Sequence, residues 1–182
     1  MLTGLRIAAL FFFALATGCS SAERAPDFVL RDDGGNAWML SRQRGRVVLL
    51  TFGFTHCADT CPATVAKLAR LGLLIPSGAR TIVVGFVTVD PQRDTVAALH
   101  RFVTRFASDG NARVVGLTGT VRQIEQVKRE YHVWSAPTAR GDIAHSAVIF
   151  VIDPEGRIRG ISDDDESEST LVRSIRPIAP SS

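Results

Sequence analysis

Arg46-Val-Val-Leu-Leu-Thr-Phe-Gly-Phe-Thr-His-Cys-Ala-Asp-Thr-Cys-Pro62 is the stretch whose reading decides the fold. Its first nine residues form a near-continuous apolar run rich in β-branched side chains, the pattern of a strand buried on both faces of a sheet. Pro62 stands where the first turn of a helix tolerates proline. Apolar residues then recur at Val65, Leu68, Leu71 and Leu74, which predicts a helix from Pro62 to Leu74. A second apolar run, Thr81-Ile-Val-Val-Gly-Phe-Val-Thr-Val89, supplies the next strand. Strand, helix and strand in that order make a right-handed crossover between two central, parallel strands.

Downstream of this unit, helices are predicted at about Thr95–Ala107 and Thr120–Tyr131, the second with Val121, Ile124, Val127 and Lys128 bracketing one face. Arg113–Leu117 reads as a short strand between them. Ser146–Ile152 and Arg157–Ile161 flank Asp153-Pro-Glu-Gly156, whose Pro-x-Gly chemistry closes a hairpin. The acidic run Asp163-Asp-Asp-Glu-Ser-Glu168 reads as a solvated loop ahead of a short helix at best. Upstream, Phe28–Leu30 and Ala37–Leu40 surround Asp32-Asp-Gly-Gly-Asn36, a tight reversal between two edge strands. The fold class is therefore α/β: a thioredoxin-like domain with a mixed central sheet, helices on both faces and an added N-terminal hairpin.

The 182 residues suit one domain once a leader is set aside. With 46% hydrophobic and 21% charged residues, the composition is that of a globular chain. The N-terminus carries a single positive charge, Arg6, ahead of the apolar run Ile7–Ala16, which is too short to span a bilayer. Residues 1–18 therefore read as a signal peptide. Ala14-Leu15-Ala16 fits ordinary cleavage, whereas Leu15-Ala16-Thr17-Gly18-Cys19 resembles a bacterial lipobox that would lipidate Cys19, the reading favoured here; an uncleaved anchor is the third option. The lipobox match carries Ala16 where Leu is usual. Residues 19–25 form a tether and residues 26–182 the domain, displayed on the periplasmic or outer face of a bacterial envelope. Loss of Arg6 takes the 21 basic residues to 20, against 18 acidic, and the basic residues are scattered. A phosphate-tracking surface is absent from this pattern, and nucleic acid is not an expected partner.

With Cys19 assigned to the lipid, Cys57 and Cys61 remain as an isolated pair in an oxidising compartment. They lie between a buried strand's C-terminal end and a helix N-terminus, where α/β sheets place ligands. Unpaired N–H groups there favour thiolate over thiol, so a lowered cysteine pKa is expected. On a helical turn, residues four apart have Cα atoms about 6 Å apart, within disulfide range; the sulfurs can equally open around an ion with metal–sulfur bonds of about 2.3 Å. His145, just ahead of Ser146–Ile152, is the leading third ligand. A Cys, Cys, His set suits Cu(I), and its imidazole Cu(II), whereas zinc normally takes a fourth ligand that is not evident. The same residues admit a passive disulfide and a hydrogen-bonded core histidine. His56 is expected to point away from the cysteines, His100 and His132 to be structural, and Met39 to pack in the hairpin.

Four segments together resemble the Sco (SenC) family of copper chaperones: Phe52–Pro62, Val87–Thr95, Gly116–Thr120 with Ile124, Val127 and Tyr131, and Ala144–Ser146 leading to Asp153-Pro-Glu-Gly156. The resemblance implies that Cys57, Cys61 and His145 bind copper. It also implies that the protein delivers the metal to, or prepares the thiols of, the dinuclear copper centre of cytochrome c oxidase. The implied partners are the apo-oxidase copper-site subunit, an upstream copper donor, and the membrane through the N-terminal lipid. Asp90, Arg93 and Asp94 match a family stretch, with Asp94 a candidate N-cap and Asp90 a candidate loop organiser. Two departures stand out. Ala58 occupies a place where many relatives have Pro, and Ala144 one where relatives often have Asp; Asp142 lies close enough in sequence to substitute. The rival reading is a thiol-disulfide oxidoreductase in which Cys57 attacks and Cys61 resolves. A peroxiredoxin-like peroxidase fits less well, because Thr55 stands two rather than three residues before Cys57. A binding module without metal or redox chemistry has no positive support.

Overall fold

The computed structural model describes residues 22–75, 82–107, 112–139 and 142–179. The leader, Cys19 and the first part of the tether lie outside the described residues. Among those described, no helix is long and apolar enough to cross a membrane.

In chain order the elements are β1 (Val29–Asp32), β2 (Ala37–Met39), β3 (Val47–Gly53), α1 (Thr60–Leu74), β4 (Ile82–Thr88), α2 (Val96–Val103), β5 (Ala112–Thr118) and α3 (Val121–Glu130). They continue as β6 (Ser135–Pro137), β7 (Ile143–His145), β8 (Val148–Ile152), β9 (Ile158–Asp163) and α4 (Glu168–Ile175). Seven strands form one sheet in the order β2-β1-β5-β4-β3-β8-β9. Strands β3, β4 and β5 are parallel and central, while β1, β8 and β9 join antiparallel to their neighbours. Every residue of β3 and β4 is buried, as their unbroken apolar runs require.

The alternation of strand side chains sorts the core into two layers. Val48, Leu50, Phe52, Val83, Val115 and Leu117 face α3, whose Ile124 and Val127 are buried beside Tyr131. Val47, Leu49, Ile82, Val84, Ile149 and Val151 face α1 and α4. Phe86 continues this second layer towards α2, meeting Val65 of α1 with Leu99 and Phe102. Among the described residues, helices thus cover both faces, α3 alone on one of them.

Several elements differ from the sequence expectation for identifiable reasons. Of the two hairpin strands, β2 lies at a sheet edge while β1 is interior, because Arg31 and Asp32 pair with Thr118 and Leu117 of β5. Helix α1 begins at Thr60, two residues before Pro62, and Leu74 is 46% exposed while Ile75 closes the core. The helix expected to run to Ala107 ends at Val103 and tightens into a 3-10 turn over Thr104–Phe106. Ile143–His145 does not lead into the central strand: it pairs with Ser135–Pro137 in a separate two-stranded ribbon. The C-terminal helix α4 is a full element, N-capped by Ser167 and buried through Leu171 and Ile175.

Candidate metal centre

The site begins at the C-terminal end of β3. Gly53 is the strand's last residue, and a Cβ there would stand 2.8 Å from the Cys61 sulfur and 2.7 Å from the Phe86 ring. Such separations are not found between real Cβ atoms and their neighbours, so the missing side chain is what lets Cys61 lie against the sheet. The following turn is pinned by Asp94, whose carboxylate is fully buried. It accepts hydrogen bonds from the Thr55 N–H at 3.0 Å, the Thr55 hydroxyl at 2.6 Å and the Thr88 hydroxyl at 2.7 Å. Asp94 is therefore not the N-cap of α2. Thr95 takes that role by accepting from the Ala98 N–H, and Asp94 ties the cysteine turn to β4 instead. Asp90 does organise its loop: its carbonyl accepts from the Arg93 and Asp94 N–H groups, and its carboxylate pairs with Arg93.

Asp59, at the N-cap position of α1, makes no capping bond through its side chain. The Cys57 sulfur receives the Cys61 N–H instead, at 3.3 Å. One of the free donors that every helix start leaves over is thereby directed at a sulfur. Both cysteines are free thiols; Cys57 is half-buried and Cys61 buried. Burial, the largest cause, pushes the Cys61 thiol up from 9.0 to about 12. A backbone hydrogen bond from Phe54 opposes this, while Cys57 and the charge of Asp164 add to it. The lowered pKa expected at a helix N-terminus is therefore not found at Cys61, because desolvation outweighs the helix-end donors.

His145 ends β7, half-buried. Its Nδ1 lies 3.0 Å from the Ser146 carbonyl oxygen, and an acceptor there requires the proton on Nδ1. In the neutral ring this leaves the Nε2 lone pair free, and Nε2 faces the Cys61 sulfur at 3.8 Å. The Phe54 ring meets the imidazole edge-on at 87°, with centroids 5.9 Å apart. Cys57 and His145 share an open cleft of about 350 Å³ with Phe54, His56, Asp142 and Asp164. Among the described residues, no three His, Cys, Asp or Glu side chains are already gathered at metal-binding spacing. Cys61 and His145 face each other at the base and Cys57 lines the cleft, so loading an ion requires these side chains to close in. The donor chemistry fits copper: two sulfurs and an imidazole nitrogen suit a soft ion that also accepts nitrogen.

The remaining candidates fall elsewhere. His56 Nδ1 turns to Asp94, 3.7 Å away. His100 pairs with Asp33 at 3.1 Å. His132 occupies the left-handed region at φ 54° just beyond α3, where Val133 N–H closes back onto the Lys128 carbonyl. Met39 is half-buried in the edge strand. Sequence reading missed Gly53, the Thr55–Asp94 tie and Asp164. A Gly at the end of an otherwise large-residue strand signalled the first, while the other two are long-range contacts without a local pattern.

A family model described as SCO1/SenC matches residues 17–179, most of the chain. The chain belongs to the SCO1/SenC family. Among curated Sco proteins, the mitochondrial protein SCO2 homolog of Bos taurus is 36% identical over 157 residues, 82% of this chain. This chain spans only 58% of that relative's length. Among solved Sco structures, Arabidopsis thaliana ScoI with copper bound superposes with a TM-score of 0.75 at 31% identity, covering 83% of this chain and 94% of that one. Yeast Sco1 with copper bound gives 0.71 at 29% identity, covering 84% and 86%. The thioredoxin-like sheet with helices on both faces is the architecture this Sco chain shares with them.

Proposed function

We propose that this protein is an extracytoplasmic copper chaperone, held at the bacterial envelope by a lipid on Cys19. Copper is its cargo, carried by Cys57, Cys61 and His145 and passed to the copper-site subunit of cytochrome c oxidase. The observation that carries this reading is the Nε2 atom of His145 facing the Cys61 sulfur at 3.8 Å, with its other nitrogen occupied by Ser146. An imidazole oriented by a backbone carbonyl is the arrangement metal-ligating histidines use. The copper-bound Sco neighbours supply the metal's identity. Transfer follows from the setting: the thiol and imidazole are reached from an open cleft, so an incoming subunit's own donors can replace them one at a time.

The test is anaerobic titration of the reduced protein with copper, read by absorption and electron spin resonance, on wild type and His145→Ala. One copper per chain is expected, with affinity lowered about 10- to 100-fold in the variant and an unchanged far-ultraviolet circular dichroism spectrum. Equal affinity in the two proteins removes His145 from the site.

A second reading, thiol-disulfide reduction, is favoured by the unequal exposure of the cysteines. The half-buried Cys57 attacks a partner disulfide as thiolate and forms a mixed disulfide; the buried Cys61 then displaces the partner as a dithiol and leaves a Cys57–Cys61 disulfide. An upstream dithiol donor must reduce that disulfide for another cycle. Reduction by metal-free protein that survives His145→Ala distinguishes this activity from copper carriage.

A further inference from the structure

The acidic run that begins at the end of β9 reads from sequence as solvated, yet one of its residues, Asp164, lines the cleft of the candidate site. Asp163 and Asp165 are exposed, whereas Asp164 between them is half-buried. Asp164 lines the open cleft together with Cys57 and His145, and also the small void behind it together with Cys61 and His145. Its backbone is fixed from two sides: its N–H donates to the Ala147 carbonyl at 3.2 Å, and its own carbonyl accepts from Lys67 of α1. Lys67 also donates to the Glu166 carbonyl at 2.8 Å. The helix that carries Cys61 thus holds this loop against the residues just after His145. Among the described residues, the Asp164 carboxylate has no hydrogen-bond or ion-pair partner, and the Lys67 ammonium donates to backbone carbonyls.

Resting on the copper reading above, we propose that Asp164 is a specificity-determining group of the copper site, biasing it towards the divalent over the monovalent ion. Two independent arguments give the same sign. Charge comes first: two thiolates already outweigh a monovalent ion and just balance a divalent one, so a further negative group favours the higher charge. Donor hardness comes second: a carboxylate oxygen suits Cu(II), whereas Cu(I) is served by sulfur. The partial burial of Asp164 keeps solvent screening from erasing the effect.

The experiment measures Cu(I) and Cu(II) affinities of the reduced full chain by competition with chelators under anaerobic conditions, for wild type, Asp164→Asn and the exposed control Asp165→Asn. In Asp164→Asn, the Cu(II) affinity is expected to fall about 10-fold with a changed spin-resonance spectrum, and the Cu(I) affinity to move less than about 2-fold. Asp165→Asn is expected to match wild type. Unchanged Cu(II) affinity and spectrum in Asp164→Asn overturn the proposal, as does an equal loss for both ions or an equal effect of Asp165→Asn. A wild type that binds neither ion overturns the copper reading itself, which is a different failure. Thermal melts of the metal-free proteins confirm that the isosteric change leaves the fold in place.

Discussion

The two halves of the site are built to different standards of rigidity. The cysteine turn grows out of β3, a fully buried central strand, and is bolted by a buried carboxylate to the next strand. His145 rides on a ribbon of two three-residue strands outside the main sheet, with every residue of its strand half-buried. A short two-stranded ribbon contributes little stability of its own. The contrast teaches that the cysteine turn is the braced frame of the candidate site and the imidazole its lightly braced arm.

The sharpest way to break this comparison is to loosen the frame. Asp94→Ala leaves the Thr55 N–H and two hydroxyls without their buried acceptor, and a loss of about 3 kcal/mol is expected in urea unfolding of the reduced, metal-free protein. Gly53→Ala inserts a methyl between Cys61 and Phe86, with an expected cost of about 1–3 kcal/mol by the same measurement. His145→Ala, on the arm, should change unfolding free energy by less than about 0.5 kcal/mol, because it empties an open cleft instead of the core. A large loss in this last variant would show that the ribbon is part of the frame.

The thiol chemistry offers a finer test of how deep the frame is. Cys61 titrates at about 12 in the fold against 9.0 when free. Its neutral form is therefore favoured by folding, and that contribution is complete below about pH 9 and fades as the pH rises through 12. Thermal midpoints of wild type relative to Cys61→Ala should fall across this window; a flat difference would place the sulfur in contact with water. On the proposed copper reading the metal displaces the same proton, so apparent affinity should rise with pH up to the same limit.

Most of the scaffold was legible because its signals are local. The apolar runs of β3 and β4, the helical spacing of Val65, Leu68 and Leu71, and the Asp-Gly-Gly turn each announce themselves within a dozen residues. The cysteine pair announced itself equally, since cysteines four apart at a strand-to-helix junction restrict the chemistry sharply. What escaped depends on distance along the chain. Ser-Ala-Pro and Ile-Ala-His are too short and too weakly alternating to read as strands, so the ribbon was invisible. The interior place of β1 arises from pairing with β5 more than 80 residues away. Asp94 looked like a cap because Thr95, an equally good one, follows it. Asp164 looked like its solvated neighbours because the lysine that turns its loop inward lies on another element.

The placement of the chain's two tryptophans has a practical outcome. Trp38 is sealed beneath the hairpin beside Phe28, while Trp134 stands 57% exposed at the base of the ribbon, exchanging hydrogen bonds with Ser146. Emission from the first reports global unfolding; emission from the second reports the neighbourhood of the imidazole. Single replacements by Phe would split the fluorescence into two channels, giving a label-free optical readout of arm and frame in one cuvette.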